Sequence, residues 1–170
     1  EKKYDESASV LLTLLKFLET QDRLYIIKNY ISVALSDSYI KNGDHDKAIS
    51  ILKSLNNIYP NDNAILYYLS DALIKNKEYR EVINKLIPYV IEHKDHMLVI
   101  KISEAAYKLK EKSLGHEYRG DYLKMLGSLN SAIKYYKLAL KYNMKGETID
   151  KRIMSKIKEI EKLKENKEIL

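Results

Sequence analysis

Apolar residues along the chain recur at spacings of three and four and never in the strict alternation of a half-buried strand, so the pattern is helical throughout. Only Pro60 and Pro88 interrupt it, and the five glycines fall mainly between periodic segments. The spacing predicts helices over 4–19, 23–42, 45–58, 63–76, 79–92, 96–110, 113–126, 129–142 and 147–165. Connections of two to four residues between such helices force antiparallel neighbours, because they reach nothing else. Pro88 lies inside one predicted helix. It removes a backbone donor and frees the carbonyl of Asn84, a cost of about 3 kcal/mol in an unsupported helix, so a kink is expected there.

The pattern also repeats. "LSDSYIKN", Leu35 to Asn42, returns as "LSDALIKN", Leu69 to Asn76, shifted by 34 residues with two of eight changed. A helix-turn-helix of that length cannot bury its apolar face alone and stacks on the next copy, with small residues where helices approach closely. Ser36, Tyr39, Gly43, Ala48, Leu52, Leu55 and Pro60 read as small, aromatic, turn glycine, small, two large apolar residues and a terminating proline. Ser70, Leu73, Lys77, Val82, Leu86, Tyr89 and Lys94 form a degenerate copy without glycine or proline. In Gly120, Leu123, Gly127, Ala132, Tyr136, Ala139 and Met144 the turn glycine and both alanines return. "ISEAAYKL" from Ile102 is a partial copy, 33 after Leu69. The ladder is similar to the tetratricopeptide repeat, which implies a right-handed superhelical solenoid of antiparallel helix pairs.

One tetratricopeptide domain over 1–170 is expected, with truncated lead-in helices in 1–28 and repeats over 29–62, 63–95 and 96–112/113–146. Ile102 and Arg119 both open first helices but stand 17 apart, so 113–126 must be second helix of one pair and first of the next. "KKYDESASVLLTLL" reads as a second helix with Ser7, Leu11 and Leu14 in its packing slots. With Glu at its start, the chain reads as a piece of a longer protein. Ser7 precedes Ala48 by 41 residues, seven more than the period, which predicts a helix at 23–42 longer by about two turns, or a distinct turn before it. Ile149, Ile153, Ile157, Ile160 and Leu163 form one stripe among charges, as a capping helix over 147–165 requires.

Composition adds bounds. An apolar content of 45% over 170 residues supports a real core. No cysteine is present, which removes disulfides and thiolate metal sites. The net charge of +6 arises from interleaved signs, the usual form of solvated helix faces, so no nucleic-acid partner is expected. No apolar run is long enough for a membrane span, and no membrane insertion is expected. Chemistry is sparse. His93 and His96 in "HKDH" lack a third ligand, and H-E-x-x-H is absent. His45 follows a turn glycine, where Asp44 or Asp46 is expected to cap the next helix. His116 falls where helices pack. No catalytic or metal-binding residue is assigned.

The candidate site is a groove lined by first helices. Residues beside the small packing residue predict Asp37, Ile40 and Lys41, then Asp71, Ile74 and Lys75, then Glu104, Tyr107 and Lys108, and finally Asp121, Lys124 and Met125. Val33 and Tyr67 lie one turn earlier on that face. The plainer reading is that Asp37–Lys41 and Asp71–Lys75 are solvated helix pairs worth about 0.2–0.5 kcal/mol each.

The segment 102–163 resembles the C-terminal end of the periplasmic zinc metallopeptidases that assist outer-membrane β-barrel assembly. The likeness rests on the half-repeat step, on Glu117 through Gly127 with Ala132 to Ala139, and on Arg152 beside the isoleucine stripe. "KKYDESASVLLTLL" resembles the same family's approach to its array. The resemblance implies a non-catalytic module that recruits unfolded or partly assembled outer-membrane proteins, or docks on the barrel-assembly machinery, in the periplasm. Zinc is then expected only in a separate catalytic half, with no cofactor in this chain. A stand-alone scaffold or adaptor without any protease is the alternative, and the oligomeric state stays open.

Overall fold

The computed structural model describes residues 2–18, 25–144 and 146–168. Among them the chain forms nine α-helices and no strand: α1 (Lys2–Leu18), α2 (Tyr25–Asn42), α3 (His45–Ile58), α4 (Asn63–Lys75), α5 (Tyr79–Glu92), α6 (His96–Lys108), α7 (Lys112–Met125), α8 (Leu129–Lys141) and α9 (Glu147–Glu168). Most agree with the predicted limits to within two residues. The expected limits at residues 19 and 23 lie outside the described residues, and α9 runs three residues beyond the expected end. The helix α2 has 18 residues against 13 in α4, about a turn and a half of the expected extra length. α5 continues on both sides of Pro88. The chain divides into two compact units, Glu1–Val82 and Ile83–Leu170, with the boundary inside α5.

In the first unit the core is built from Leu35 and Tyr39 of α2, Ala48 and Leu52 of α3, and Leu66, Leu69 and Leu73 of α4, all buried. The small slots are filled as the ladder requires: Ser36 and Ser70 are buried, and each hydroxyl donates to the carbonyl four residues back. Antiparallel packing of α1 on α2 is fixed by Asn42 Nδ2, which donates to Asp5 at 2.6 Å, and by the Ser7–Ser38 hydroxyl pair at 3.1 Å. Asn76, one period after Asn42, donates in the same way to Asp46 of α3.

The turns carry the period most plainly. Gly43 has φ +90°, and its N–H and that of Asp44 bond to the carbonyls of Ile40 and Tyr39. This double bond around a left-handed residue satisfies the last carbonyls of a helix. It recurs at Lys77, at Lys110 and at Gly127. The turns leading into α4 and α6 differ, since there Asp62 and Asp95 accept N–H bonds from the first helical turn. Asp44 does not cap as expected. It holds the position before α3, but its carboxylate is taken by Asn42 at 3.2 Å and Lys47 at 3.3 Å.

In the second unit the left-handed turn occurs twice in succession, at Lys110 and Gly127, 17 residues apart. This is the half-repeat step in backbone form: α7 closes one pair with α6 and opens the next with α8. Two glycines let it do so. A Cβ at Gly115 would stand 2.8 Å from the Tyr107 ring of α6, and one at Gly120 would stand 2.5 Å from the Tyr136 ring of α8. The helix α9 then buries Ile153, Ile157 and Ile160 against Ala132, Tyr136 and Ala139 of α8, the closing role expected of it.

Candidate functional site

Two concavities bear on the predicted groove, one in each unit. In the first unit a cleft of about 490 Å³ opens between α2 and α4. Its walls are Tyr30 and Val33 of α2 and Ile65 and Tyr68 of α4, with Tyr59 and Asp62 at the end. Local chemistry sets this shape: Asp62 Oδ1 accepts the Ile65 N–H at 2.9 Å and so starts α4 beside the cleft. Asn29 Nδ2 donates to the Tyr59 hydroxyl at 2.7 Å and ties the connecting turn to α2. Tyr30 is 74% exposed, an aromatic ring left in water at the mouth.

The predicted residues distribute unevenly around this cleft. Val33 is on its wall. Tyr67 is not; its ring packs edge-on against Tyr68, centroids 5.7 Å apart, and Tyr68 is the lining residue. Asp37 pairs with Lys41 and Asp71 with Lys75, the latter at 3.3 Å, both on half-exposed helix faces. The Asp37 bond and charge raise the Lys41 pKa. Ile40 is corrected: it is 3% exposed and belongs to the core, because the helix presents it inward, one residue after buried Tyr39. Ile74, its mate in the next repeat, is half-buried.

In the second unit the expected ladder divides. Glu104 pairs backward with Lys101 at 3.6 Å, while Lys108 is exposed. Tyr107 lies over Gly115, its hydroxyl 2.7 Å from His116 Nδ1, in a cluster with Tyr135 and Tyr142. Burial, with the nearby Tyr135, pushes the Tyr107 pKa up to about 12. Burial and the charge of Lys112 hold His116 below the usual histidine value. Asp121 and Lys124 turn elsewhere, toward α9: Lys156 Nζ lies 2.7 Å from Asp121 and Lys124 Nζ 2.7 Å from Glu159. They border a cleft of about 520 Å³ with Ile87 and Ile91 of α5 and Met125 of α7. Glu104 and Tyr107 of α6 are not on that wall. The half step is the cause, since it transfers the first-helix pattern from α6 to the adjacent antiparallel α7.

At the centre of that second region Glu117 is 2% exposed. Arg152 grips it through Nε at 3.0 Å and Nη2 at 2.6 Å, and Lys156 reaches it at 2.8 Å. Burial pushes the Glu117 pKa up, but Lys156 and Arg152 together outweigh burial and leave it below the ordinary value. Asp121 accepts the Tyr136 hydroxyl at 2.7 Å, and burial with that carboxylate drives the tyrosine pKa far up. Sequence reasoning placed Asp121 in the groove but assigned neither the Glu117 contacts with Arg152 and Lys156 nor the cleft tyrosines. Tyr68 was reachable, because it stands one period after Ala34, which lines the same cleft.

Among the described residues no three of His, Asp and Glu come together to hold a metal ion, and no helix is long and apolar enough to cross a membrane. His93 stacks on Tyr89 with centroids 4.4 Å apart, and His96 opens α6.

The architecture is all-α, of the tetratricopeptide type. The chain is similar in structure to a tetratricopeptide-like helical protein solved as "MamA RS-1 ArsTM double mutant", at a TM-score of 0.56 and 17% identity, covering 97% of this chain and 96% of that one. No protein-family model and no curated protein matches the chain.

Proposed function

We propose that the chain is a non-catalytic module that holds a partner protein in the cleft between α2 and α4. The observation that supports this most directly is the exposed Tyr30 ring above an apolar cleft with Val33 and Tyr68 on its walls. Rigid aromatic side chains beside a concave apolar surface are the usual anchors of peptide recognition. The tetratricopeptide-type fold presents such clefts between first helices. Following the sequence resemblance, the module serves an attached zinc metalloprotease in outer-membrane protein quality control, and the partner is an unfolded or partly assembled barrel protein in the periplasm. Zinc in that arrangement belongs to the protease part.

The test is binding of a urea-unfolded outer-membrane barrel protein, diluted onto the chain and followed by fluorescence anisotropy. Tyr30→Ala with Tyr68→Ala should weaken it by about tenfold. Equal binding by the double variant overturns the cleft, and no binding by either form overturns the client. The protease attachment is tested separately by an H-E-x-x-H sequence in the gene that encodes the chain. A gene without it leaves a scaffold.

A further inference from the structure

A cleft of about 410 Å³ lies where α7 begins and α8 hands over to α9, sharing Glu117 and Arg152 with the second region above. Three cations line it: Lys110, Lys112 and Arg152. Lys141 of α8 stands beside it, on the wall of a neighbouring concavity with Ile133 and Lys137. Its Nζ is 6.0 Å from the centre of the Tyr142 ring, and Lys112 Nζ is 5.0 Å from the same ring, so both ammoniums converge on one lining residue. None of Lys110, Lys112 and Lys141 has a carboxylate partner among the described residues. No acid lies anywhere on α8. Of the two acids on the cleft wall, Glu117 is taken by Arg152 and Lys156, and Glu111 is engaged as well. Arg152 spends two of its five N–H donors on Glu117 and stays half exposed.

The remaining wall is apolar. Leu114 and Ile149 line it, and Met144 at the rim is 96% exposed, a large flexible apolar side chain with nothing to cover it. Unpaired cations around an apolar floor call for an occupant with the opposite charge and an apolar side chain of its own. A nucleic-acid backbone offers charge but no aliphatic anchor for this apolar wall. We propose that this cleft docks an acidic segment of a partner protein carrying an aromatic or aliphatic anchor residue. The net charge of +6 favours the same partner at long range.

A short fluorescent peptide of alternating Glu and Gly around a central Phe, titrated with the chain at low salt, tests this. Saturable binding is expected. It should fall about tenfold in the Lys110→Gln, Lys112→Gln, Lys141→Gln triple variant and several-fold when the Phe is replaced by Ser. Met144→Ser, a change at the exposed rim, should reproduce the loss from the apolar side. Far-UV circular dichroism establishes that each variant is folded. No saturable binding overturns the proposal, as does binding indifferent to the triple variant. An oligonucleotide of equal charge bound as tightly as the peptide also overturns it, in favour of a general polyanion surface. Tyr68→Ala should leave this binding unchanged, so failure here and failure of the α2–α4 cleft are read independently.

Discussion

Lys77 holds φ +65° at the turn where the preceding repeat has Gly43. The two turns make the same pair of backbone bonds, so the hydrogen bonding offers no reason for the lysine. A left-handed conformation costs an L-residue about 1–2 kcal/mol through the contact of Cβ with its own carbonyl, whereas glycine is free of it. Glycine loses more chain entropy on folding, which offsets part of the gain. Lys77→Gly should therefore stabilise the protein by about 0.5–1 kcal/mol, read as a higher urea midpoint at unchanged slope. Gly43→Ala should move the midpoint the other way, since nothing lies within 4 Å and the cost is purely of the backbone. Equal midpoints for Lys77→Gly and the parent chain would show that the turn is not strained.

Among the helices, α7 serves both neighbours, and its glycines differ in what they admit. Tyr136 is fully buried and anchored through its hydroxyl to Asp121, so it cannot retreat from a methyl group at position 120. Tyr107 is 37% exposed and can swing outward. Alanine favours a helix interior by about 1 kcal/mol over glycine, and overpacking costs about 1–3 kcal/mol. Gly120→Ala should accordingly destabilise by about 1–2 kcal/mol while Gly115→Ala stays close to neutral, an ordering that thermal unfolding followed by circular dichroism resolves. The half step around α7 was legible in the sequence because Ile102 and Arg119 stand 17 apart. Its effect on the groove was not. A slot rule assigns residues to a face by their place in a repeat, and when one helix belongs to two repeats the rule no longer says which neighbour that face meets. Asp121 and Lys124 consequently met α9, and Tyr107 met Gly115 and His116. Ile40 failed for a more local reason. It follows buried Tyr39 on a helix packed by both α1 and α3, where fewer positions stay open than in an idealised repeat. The helices themselves were nearly all legible, because apolar spacing and turn residues are local signals.

At the scale of the molecule, some charges that pair in space stand far apart in sequence. Glu117 is the extreme case: a carboxylate 2% exposed, 35 residues from its guanidinium partner, invisible to any pattern of neighbouring charges. It links α7 to the closing helix α9, so its protonation bears on how that end of the protein is held. Burial alone raises its pKa, but Lys156 and Arg152 prevail and hold it below the value of 4.5 it has in the unfolded chain. Folding then releases a proton from this group wherever the unfolded carboxyl is protonated. The stability it contributes is fully present above the unfolded value and is lost as pH falls through the lower folded one. The melting temperature should therefore drop on acidification below about pH 4.5, more steeply in the parent chain than in Glu117→Gln, whose amide does not titrate. At neutral pH the variant should be the less stable of the two, since Arg152 and Lys156 then face an amide in place of a charge, and the two curves should converge in acid. Parallel curves would assign the acid sensitivity to other carboxylates and leave the Glu117 contact indifferent to its charge.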